Sequence, residues 1–280
     1  MRDAVRRGLW LLCALLLAGC HAQRADDTPA PTLDVVTLNL WHDRDDWPRR
    51  EAMIVAQLRR LDPDVVLLQE VLQHDGLPNQ AQTLARQLGY RAYFVSVDPP
   101  GRARRYGNAI LTRETPLMQG QRPLQPHDDY RIAAWVRVPV HGRAVNVYVA
   151  HLNFTDRSGA TRTRQLADLL DFVAATRGDA PVLVGGDFNA PGDAPELAPL
   201  RACCLDAYAQ RHAGEDLSAP SHVTLNPRYN PPARIDLLFA QHDGFRVIDA
   251  RRILDQPAPD GAWASDHFGV WARLAFVPVD

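Results

Sequence analysis

The chain has 280 residues, of which 46% are hydrophobic and 23% are charged, so it can bury one large core and is not disordered throughout. Its 31 basic and 33 acidic residues nearly cancel, which argues against a protein that neutralises nucleic-acid backbone along a broad surface, although a small anion site is compatible with this balance. The chain contains no lysine, which excludes phosphate-loop lysines, Schiff-base chemistry and Ser/Lys pairs.

The N-terminal segment has the pattern of an export signal. Three arginines within the first seven residues precede an apolar run at 9–18, which is followed by small residues and Cys20. The run is too short to span a bilayer comfortably, which disfavours a permanent membrane helix. The sequence LAGC at 17–20 resembles the lipobox of bacterial lipoproteins, and this resemblance implies that Cys20 is lipidated and becomes the mature N-terminus.

The resemblance to a lipobox also implies that the protein is exported and that its lipid anchors it in the cell envelope. His21 is not the aspartate associated with inner-membrane retention in some bacteria, so we expect the outer membrane, facing the periplasm. Residues 21–32 lack hydrophobic periodicity and predict a tether. We therefore expect a signal peptide at 1–19, a lipidated cysteine with its tether at 20–32, and one folded domain at 33–280.

The first part of this domain predicts alternating strands and helices. Residues 33–41 are rich in Val, Thr and Leu, as strands are. Asp46 is suited to cap a helix at 47–61, whose apolar side chains share one face. A turn and a second, almost fully apolar strand follow at 62–71, and a glycine closes a helix at 79–89.

The remainder predicts strands around one amphipathic helix at 159–178, which places Leu166, Leu169, Leu170 and Val173 on its inner side. Strands that are buried on both faces, mixed with helices, indicate sheets covered by helices on the outside. The predicted strands lie at 91–97, 107–112, 132–138, 144–150, 181–186, 234–240, 245–249 and 267–277.

The cysteines provide no disulfide framework. Two of the four lie in the signal or at the lipidation position, which leaves the adjacent Cys203 and Cys204. A strained bond between these neighbours would need an oxidising compartment, and we expect a pair of small, partly buried thiols instead.

Polar side chains stand where the apolar runs begin or end. The run VLVGGDFNAP at 182–191 is apolar up to Asp187 and Asn189. Taken alone, it fits equally well a turn in which Asp and Asn bond their own backbone. The same pattern at six runs is hard to credit to chance, and side chains fixed at strand ends commonly build sites. These side chains are Asn39, Glu70, His151, Asn153, Asp187, Asn189, Asp236, Asp266 and His267.

The residue types form a coherent chemical set. Carboxylates and amides without cysteine make an oxygen-rich site, which suits Mg²⁺ or Mn²⁺ better than zinc. The sequence shows no HExxH or paired-cysteine zinc spacing, and no GxSxG motif that would support a serine hydrolase. Two histidines and two further acids remain to orient water, fix an imidazole and stabilise charge on phosphorus oxygens, as phosphoester hydrolysis requires.

The ordered motifs resemble those of the endonuclease/exonuclease/phosphatase superfamily, which includes deoxyribonuclease I, abasic-site endonucleases, neutral sphingomyelinases and inositol polyphosphate phosphatases. The resemblance runs from about residue 33 to 277. It implies an α/β (α+β) fold, a four-layer αββα sandwich of two packed mixed β-sheets flanked by helices. The motifs are TLN with Asn39, LLQE with Glu70, RYGNAIL with Asn108, AHLN with His151, GGDFNAP with Asp187 and Asn189, RIDLLFA with Asp236, and SDHFGV with Asp266 and His267.

The resemblance implies that the domain is catalytic and that Mg²⁺ or Mn²⁺ is its cofactor. Glu70 would be the central metal ligand, with Asn39 and Asp266 beside it. Asp187 would orient or deprotonate the attacking water, and Asn189 would hold this water or a phosphate oxygen.

By the same resemblance, His267 would contact the scissile phosphate with its ring fixed by Asp236. This pairing also has a physical rationale, because a carboxylate on one ring nitrogen sets the tautomer and stabilises the imidazolium. His151 would stabilise the transition state or help to protonate the leaving group. Whether Asp187 or His267 acts as the base stays open at this point.

Other polar and aromatic residues have two interpretations. Arg102, Arg104 and Arg105 fit a solvated loop better than a phosphate-binding rim. Substrate contact and ordinary packing explain Trp41, His42 and Trp47 equally well. The residues expected to contact substrate or support the site are Tyr106, Asn108, Arg131 and Asn153.

The sequence therefore predicts a divalent-metal-dependent phosphoesterase that acts on a phosphodiester or phosphomonoester outside the cytoplasm. Nucleic acid, a phospholipid headgroup and a small phosphoester all stay open as substrates, and the near-neutral charge does not favour nucleic acid. We expect a monomer that contacts the membrane through its N-terminal lipid. The alternative is a non-catalytic, envelope-tethered binding protein on the same scaffold, which the complete set of motifs disfavours.

Overall fold

Two β-sheets form the centre of the protein, in a computed structural model that describes residues 31–278. The twelve strands of this part of the chain are, in chain order, β1 (Thr32–Asn39), β2 (Val65–Gln73), β3 (Arg91–Ser96), β4 (Arg105–Thr112), β5 (Met118–Pro123), β6 (Ile132–Val140), β7 (Arg143–His151), β8 (Val182–Asp187), β9 (Cys204–Asp206), β10 (Asp236–Gln241), β11 (Phe245–Ile253) and β12 (Gly269–Phe276).

Each sheet has six strands and is mixed. The first has the order β11-β12-β1-β2-β4-β3, and the second has the order β5-β6-β7-β8-β10-β9. In the first sheet only β1 and β2 run parallel, and in the second only β7 and β8 do so. The predicted pair of mixed sheets is confirmed.

Most helices lie outside the two sheets, but the short helix Ala207–Arg211 contacts strands of both sheets and adds Ala207 and Tyr208 to the apolar cluster between them. Asp46 caps α1 (Trp47–Leu61) by accepting a hydrogen bond from the Arg49 backbone N–H, as the sequence predicts, and Asn79 caps α2 (Gln80–Leu88) through the Gln82 N–H. Gly89 ends α2 in the left-handed conformation that glycine favours. The helices of the described residues are α1 (Trp47–Leu61), α2 (Gln80–Leu88), α3 (Ala160–Thr176), α4 (Ala198–Arg201) and α5 (Ala207–Arg211).

Three apolar clusters define four layers. The central cluster joins the inner faces of both sheets, with Val35 and Leu67 from the first sheet and Val147 from the second. A second cluster packs α3 against the second sheet. A third packs α1 and α2 against the first sheet. The predicted αββα sandwich therefore follows from strands that are apolar on both faces, one face toward the other sheet and one toward helices.

The two sheets approach closely near the end of β8. A Cβ at Gly185 would lie 2.6 Å from side-chain carbons of both Leu67 and Leu238. Gly186 has a φ of 142°, and a Cβ there would lie 1.9 Å from the carbonyl oxygen of Ala150. The glycine pair of the GGDFN motif is thus required by packing and by backbone conformation directly before Asp187.

Two strands, β5 and β9, lack the run of apolar side chains from which a strand can be predicted. β5 is a polar edge strand with no buried residue, and β9 has only three residues.

β11 continues to Ile253, beyond the predicted end at 249, after a register shift between Val247 and Asp249. β12 begins at Gly269, so the residues predicted to open this strand lie in the loop before it.

Cys203, in the turn before β9, and Cys204, the first residue of β9, are free thiols, in agreement with the expectation. Cys203 is partly buried and Cys204 is buried. The predicted signal peptide at 1–19, the predicted lipidation at Cys20 and residues 20–30 of the predicted tether lie outside the described residues. Thr32, the last residue of the predicted tether, already belongs to β1. Within residues 31–278, no helix is long and apolar enough to cross a membrane.

Candidate active site

The layer between the sheets becomes polar at one end. Inner-face positions that carry valine or leucine along β1 and β7 carry Asn39 and His151 at the last residue of each strand. His151 pairs in register with Asp187, and Asp187 pairs in register with Asp236. Because strand side chains alternate with a period of two, all four side chains face the space between the sheets. The sandwich thus gathers at one end residues that are far apart in sequence.

Glu70 reaches this end of the sandwich through an irregularity in β2. The pairing of β2 with β4 shifts register between Leu68 and Val71, and Glu70 has a φ of 56°. Regular alternation after the inner-facing Leu67 would direct residue 70 toward the helix layer, and a β-bulge redirects a side chain. Left-handed backbone at a non-glycine residue costs roughly 1–2 kcal/mol, a strain that clusters at functional sites.

Glu70 is held as a carboxylate. Its Oε1 accepts a hydrogen bond from Asn39 Nδ2 at 3.2 Å, and its Oε2 lies 2.6 Å from His42 Nε2. Burial is the largest single influence and raises the pKa of Glu70, but the hydrogen bonds from His42 and Asn39 and the neighbouring imidazoles of His42 and His151 together outweigh it, and the resulting pKa is about 2. Glu70 therefore carries a full negative charge at neutral pH.

Asp187 is the carboxylate with the most contacts in the site. Its Oδ1 accepts a hydrogen bond from the Asn189 backbone N–H at 2.9 Å, and its Oδ2 accepts one from Asn39 Nδ2 at 3.1 Å. The same Oδ2 lies 3.5 Å from His151 Nε2 and 3.9 Å from His267 Nε2. Burial raises the pKa of Asp187 to about 7. A group with this pKa can accept a proton near neutral pH.

His267 and Asp236 form a buried pair. His267 Nδ1 donates to Asp236 Oδ2 at 2.9 Å, and its Nε2 lies 4.0 Å from Asp266 Oδ1. Burial is the largest single influence and lowers the pKa of His267, but the charge and hydrogen bond of Asp236, together with the charges of Asp187 and Asp266, outweigh burial and raise this pKa to about 10. His267 is therefore an imidazolium at neutral pH, with one N–H fixed by Asp236 and the other directed into the site.

His151 is held in the opposite protonation state. Burial, together with the charge of Arg131, lowers its pKa well below the usual value of 6.5. Its Nδ1 has no hydrogen-bond partner among the described residues. The site thus contains one neutral and one protonated imidazole, and its two histidines are set for different tasks.

Asp266 is placed by the loop that precedes β12. Its Oδ2 accepts a hydrogen bond from Asn230 Nδ2 at 3.0 Å. Ser265 Oγ donates to the carbonyl oxygen of Asn39 at 2.7 Å and accepts from the His267 backbone N–H at 3.1 Å, which ties this loop to the end of β1. Burial raises the pKa of Asp266 above its usual value.

The four predicted support residues divide into two groups. Tyr106 and Arg131 line the cavity, and burial raises the pKa of the Tyr106 hydroxyl. Asn108 and Asn153 are buried behind it. Asn108 donates to the carbonyl oxygen of Ile132 at 2.7 Å, and Asn153 donates to a carboxylate of the neighbouring turn at 2.8 Å. These two amides hold backbone segments in place and do not face the cavity.

The site opens into a cavity of about 930 Å³. Asn39 and Asp236 are fully buried behind its wall and contact the groups that face it. Cys20 lies outside the described residues. The predicted site residues that line the cavity are Glu70, Tyr106, Arg131, His151, Asp187, Asn189, Asp266 and His267.

Basic and aromatic side chains form the rim of this cavity. Arg102 and Arg104 line it while remaining exposed, so the loop predicted to be solvated also contributes to the rim. Trp41 lines the cavity with its ring centroid 4.8 Å from that of Tyr229. Trp47, in contrast, is buried against the first sheet and belongs to the core.

Several residues that line the cavity are not predicted from the sequence. They occupy loops and turns, where the strand-end pattern gives no signal, and the short NPRYN segment before β10 supplies Asn230. For His42 the sequence predicts either substrate contact or ordinary packing, whereas in the structure its imidazole holds the Glu70 carboxylate. Tyr229 does not line the cavity but packs against Trp41 at its rim. The cavity residues that the sequence does not predict are Arg44, Asp98, Asp129, Tyr130, Phe154, Leu225, Asn230 and Ile235.

The donor set fits a hard divalent cation. Glu70 and Asp266 both present carboxylate oxygens to the cavity, and such oxygens, together with water, are the ligands that Mg²⁺ prefers. Asn39 is predicted as a third ligand, but here its amide N–H₂ faces Glu70 and its Oδ1 accepts from the Trp41 backbone N–H at 3.0 Å. In this arrangement Asn39 orients the carboxylate.

Comparison with known proteins agrees with this description. A sequence model of the endonuclease/exonuclease/phosphatase family matches residues 36–267. Nocturnin of Drosophila melanogaster is 28% identical over 281 residues, which cover 83% of this chain and 42% of that protein. The chain spans less than half the length of the curated relatives it matches.

Solved structures share the fold. The human nocturnin catalytic domain with bound sulfate anion has a TM-score of 0.71 at 22% identity, covering 88% of this chain and 94% of that one. D. rerio TDP2 complexed with single strand DNA product has a TM-score of 0.70 at 20% identity, covering 87% and 98%.

The matched residues span most of the chain, and the predicted motifs meet at one end of a shared fold. The chain belongs to the endonuclease/exonuclease/phosphatase family.

Proposed function

We propose that the protein is a divalent-metal-dependent hydrolase of phosphoesters. The observation that carries this proposal is the arrangement around Asp187, which lies within reach of a protonated His267, a neutral His151 and the amide of Asn39 in one cavity. A phosphoryl group in that cavity would find a base, a cationic donor and a carboxylate-bound cation, which are the parts that ester hydrolysis at phosphorus requires.

Asp187 is the base in this proposal. His267 is already protonated near neutral pH because Asp236 stabilises its imidazolium, so it cannot accept the proton of an attacking water. Asp187 has a pKa of about 7 and can accept it. Asn189 anchors the base through its backbone N–H, while its own Nδ2 donates to the carbonyl oxygen of Leu152.

His267 and His151 act on the phosphate. The Nε2–H of His267 points into the cavity and would donate to a non-bridging phosphate oxygen, where negative charge grows in the transition state. His151 is neutral and buried, and a Nε2–H that faces the cavity can donate to the phosphate or to the leaving oxygen without adding a second positive charge.

Glu70 and Asp266 would hold the cation, with Asn39 and His42 fixing the orientation of Glu70. Bound Mg²⁺ would supply a Lewis acid that offsets negative charge on the phosphate and stabilises the negative charge that develops on the leaving oxygen. Four acidic side chains meet here, Asp187 and Asp236 among them, so a divalent cation also offsets their mutual repulsion.

The rim favours a phosphoester attached to a planar group. Arg102 and Arg104 supply positive charge, Phe154 leaves 66% of its surface exposed, and Trp41 packs against Tyr229. Aromatic faces and arginine planes bind unpaired bases by stacking. The structural similarity to D. rerio TDP2, which is described as complexed with single strand DNA product, makes a single-stranded end the first nucleic-acid substrate to test.

We also propose that the enzyme acts outside the cytoplasm. The charged start, the short apolar run and the LAGC sequence before His21 support export and lipidation at Cys20. An outer-membrane anchor facing the periplasm would confine the domain to phosphoesters of the envelope or of the periplasm. Radiolabelled palmitate incorporation that disappears in Cys20→Ser tests this part separately from the chemistry.

The test of the chemistry is hydrolysis of bis(p-nitrophenyl) phosphate with Mg²⁺ and with chelator. Glu70→Gln and Asp187→Asn should abolish the metal-dependent signal, whereas the exposed Glu114→Gln removes one charge without touching the site. A panel of single-stranded and duplex DNA, RNA, phospholipids and sugar phosphates then assigns the substrate. If the folded protein hydrolyses none of these substrates with Mg²⁺ or with Mn²⁺, the result would contradict the proposal and favour a tethered binding protein.

A further inference from the structure

We propose a second cation site, of the zinc type, formed by His212, Glu215 and His222. None of the three lines the cavity of the candidate active site. One ligand atom from each residue lies within 4.8 Å of one atom from each of the others. Two imidazoles and one carboxylate form a donor set that zinc adopts readily and that Mg²⁺, which prefers oxygen, does not.

The chain brings these residues together through a compact loop after α5. His212 follows the last residue of that helix, and Gly214, at a φ of 90°, turns the chain so that the Glu215 N–H donates to the His212 carbonyl oxygen at 3.1 Å. Further turns bring His222 back, with its ring centroid 5.2 Å from that of His212. Two histidines ten positions apart thus share one glutamate between them.

The separations of the ligand atoms suit a tetrahedral cation. His212 Nδ1 lies 3.1 Å from Glu215 Oε1, and His222 Nε2 lies 3.2 Å from Glu215 Oε2. Metal–ligand bonds of about 2.0–2.2 Å in a tetrahedron place ligand atoms about 3.3–3.5 Å apart. Each imidazole nitrogen and its Glu215 oxygen would have to move apart by a few tenths of an ångström to admit the cation. Rotation of the Glu215 side chain can provide this movement.

The outer nitrogens of both rings already have the partners that metal-binding histidines use. His212 Nε2 donates to the carbonyl oxygen of Ala250 at 3.1 Å, which leaves the lone pair of the neutral ring on Nδ1. His222 Nδ1 lies 3.1 Å from the Tyr208 hydroxyl. If the ring donates there, the lone pair of His222 lies on Nε2. In those tautomers both lone pairs face the Glu215 carboxylate, and a cation between them satisfies all three groups.

The exposure of the cluster suits a bound ion with open access. His222 has 7% of its side chain exposed and His212 has 20%, which fixes both rings by packing. Glu215 is 52% exposed. A zinc ion would therefore have two rigid imidazole ligands, one mobile carboxylate and a solvent-facing position for water, the three-ligand arrangement in which a fourth position stays open.

The site would anchor the segment that leads into the candidate active site. Beyond His222, Thr224 Oγ1 accepts the backbone N–H of Asp236 at 3.1 Å, and the Thr224 carbonyl oxygen accepts the Phe268 N–H at 2.6 Å. These bonds flank the Asp236–His267 pair. A cation at the loop thus fixes the backbone from which this pair is positioned, and binding to the folded state stabilises it.

The experiment is calorimetric titration of the untagged full chain with Zn²⁺ in excess Mg²⁺, which occupies the oxygen-rich site. Wild type should bind one more Zn²⁺ equivalent than His222→Gln. Glu215→Gln, at a half-exposed position, keeps the size of the side chain and should weaken this equivalent at least tenfold. The matched control is His242→Gln, because His242 is an exposed histidine that lies beside a carboxylate elsewhere, and it should bind like wild type.

A second readout is the melting temperature. Zn²⁺ should raise it in wild type and in His242→Gln, but not in His222→Gln. If His222→Gln fails to fold, Glu215→Gln decides the question by the same two measurements. Equal Zn²⁺ uptake by wild type and Glu215→Gln, with equal melting shifts, would overturn the proposal and leave the cluster as hydrogen-bonded ion pairs.

Discussion

Replacing Asp236 by Asn isolates the interaction that keeps His267 protonated. The two groups are buried, and His267 Nδ1 lies 2.9 Å from Asp236 Oδ2. At an effective dielectric constant of about 20, unit charges at this separation attract by roughly 6 kcal/mol, or roughly four pKa units. In D236N, burial still disfavours the imidazolium, while Asp187 and Asp266 still face the ring and stabilise part of its charge. We therefore expect D236N to lower the pKa of His267 by at least about 2 units, which is less than the full attraction of Asp236.

The assay is an NMR titration of the His267 imidazole in metal-free protein, with the resonance assigned by its absence from His267→Asn. Wild-type His267 should titrate near its pKa of about 10. Asp249→Asn removes a carboxylate from a half-exposed pair with Arg211 and is the matched control. A pKa of His267 that differs by less than about half a unit between wild type and D236N would refute the assignment of this charge to Asp236.

The same shift makes stability depend on pH. The folded-state pKa of His267 lies above its unfolded value of 6.5, so the stabilisation is fully present below pH 6.5 and is lost as the pH rises to about 10. A rise of this size corresponds to at most about 5 kcal/mol. The free energy of unfolding of the metal-free wild type should therefore fall across this window, and D236N should flatten the fall. Urea denaturation at stepped pH measures both slopes.

Three further predictions concern the site and its support. Glu70→Gln should lower kcat/KM for bis(p-nitrophenyl) phosphate by at least about 10³-fold and raise the Mg²⁺ concentration needed for half-maximal rate, because the cation loses one of its two proposed carboxylate ligands; unchanged metal dependence would contradict this role. Gly186→Ala should destabilise the domain by more than about 3 kcal/mol in urea denaturation, because its Cβ would lie 1.9 Å from the Ala150 carbonyl oxygen. Phe154→Ala should raise KM several-fold, with kcat retained, for phosphoesters of aromatic groups and not for sugar phosphates; an equal change for both would remove Phe154 from substrate binding.

The layers of the fold can be predicted from the sequence, because each apolar face of a strand or helix must pack against a neighbouring layer. α1 lies where Asp46 and the spacing of apolar residues predict it, at 47–61. β5 could not be found in the same way, since an exposed edge strand is held by backbone hydrogen bonds to β6 and buries no side chain. The three-residue β9 is too short to show any period.

The strand-end pattern predicts which site residues meet, because residues at the same end of neighbouring strands are neighbours in space. His151, Asp187 and Asp236 lie directly opposite one another on three adjacent paired strands. Asn230 and Phe154 reach the cavity from loops, where the position of a side chain depends on turns that no short pattern encodes.

The direction of Glu70 is the feature furthest from prediction, and it explains why the site needs strained backbone. Period-two alternation places residue 70 on the helix side of β2, so a carboxylate there would be buried against an apolar cluster without a partner. The bulge turns Glu70 toward the other sheet, at the cost of a left-handed conformation. Trp41 and His42, which follow β1, and Asn189, which follows β8, share that conformation. Such conformations persist because the surrounding hydrogen bonds over-determine them, and the Asn39 amide, which bonds to Glu70, Asp187 and the Trp41 backbone, joins three of the affected segments.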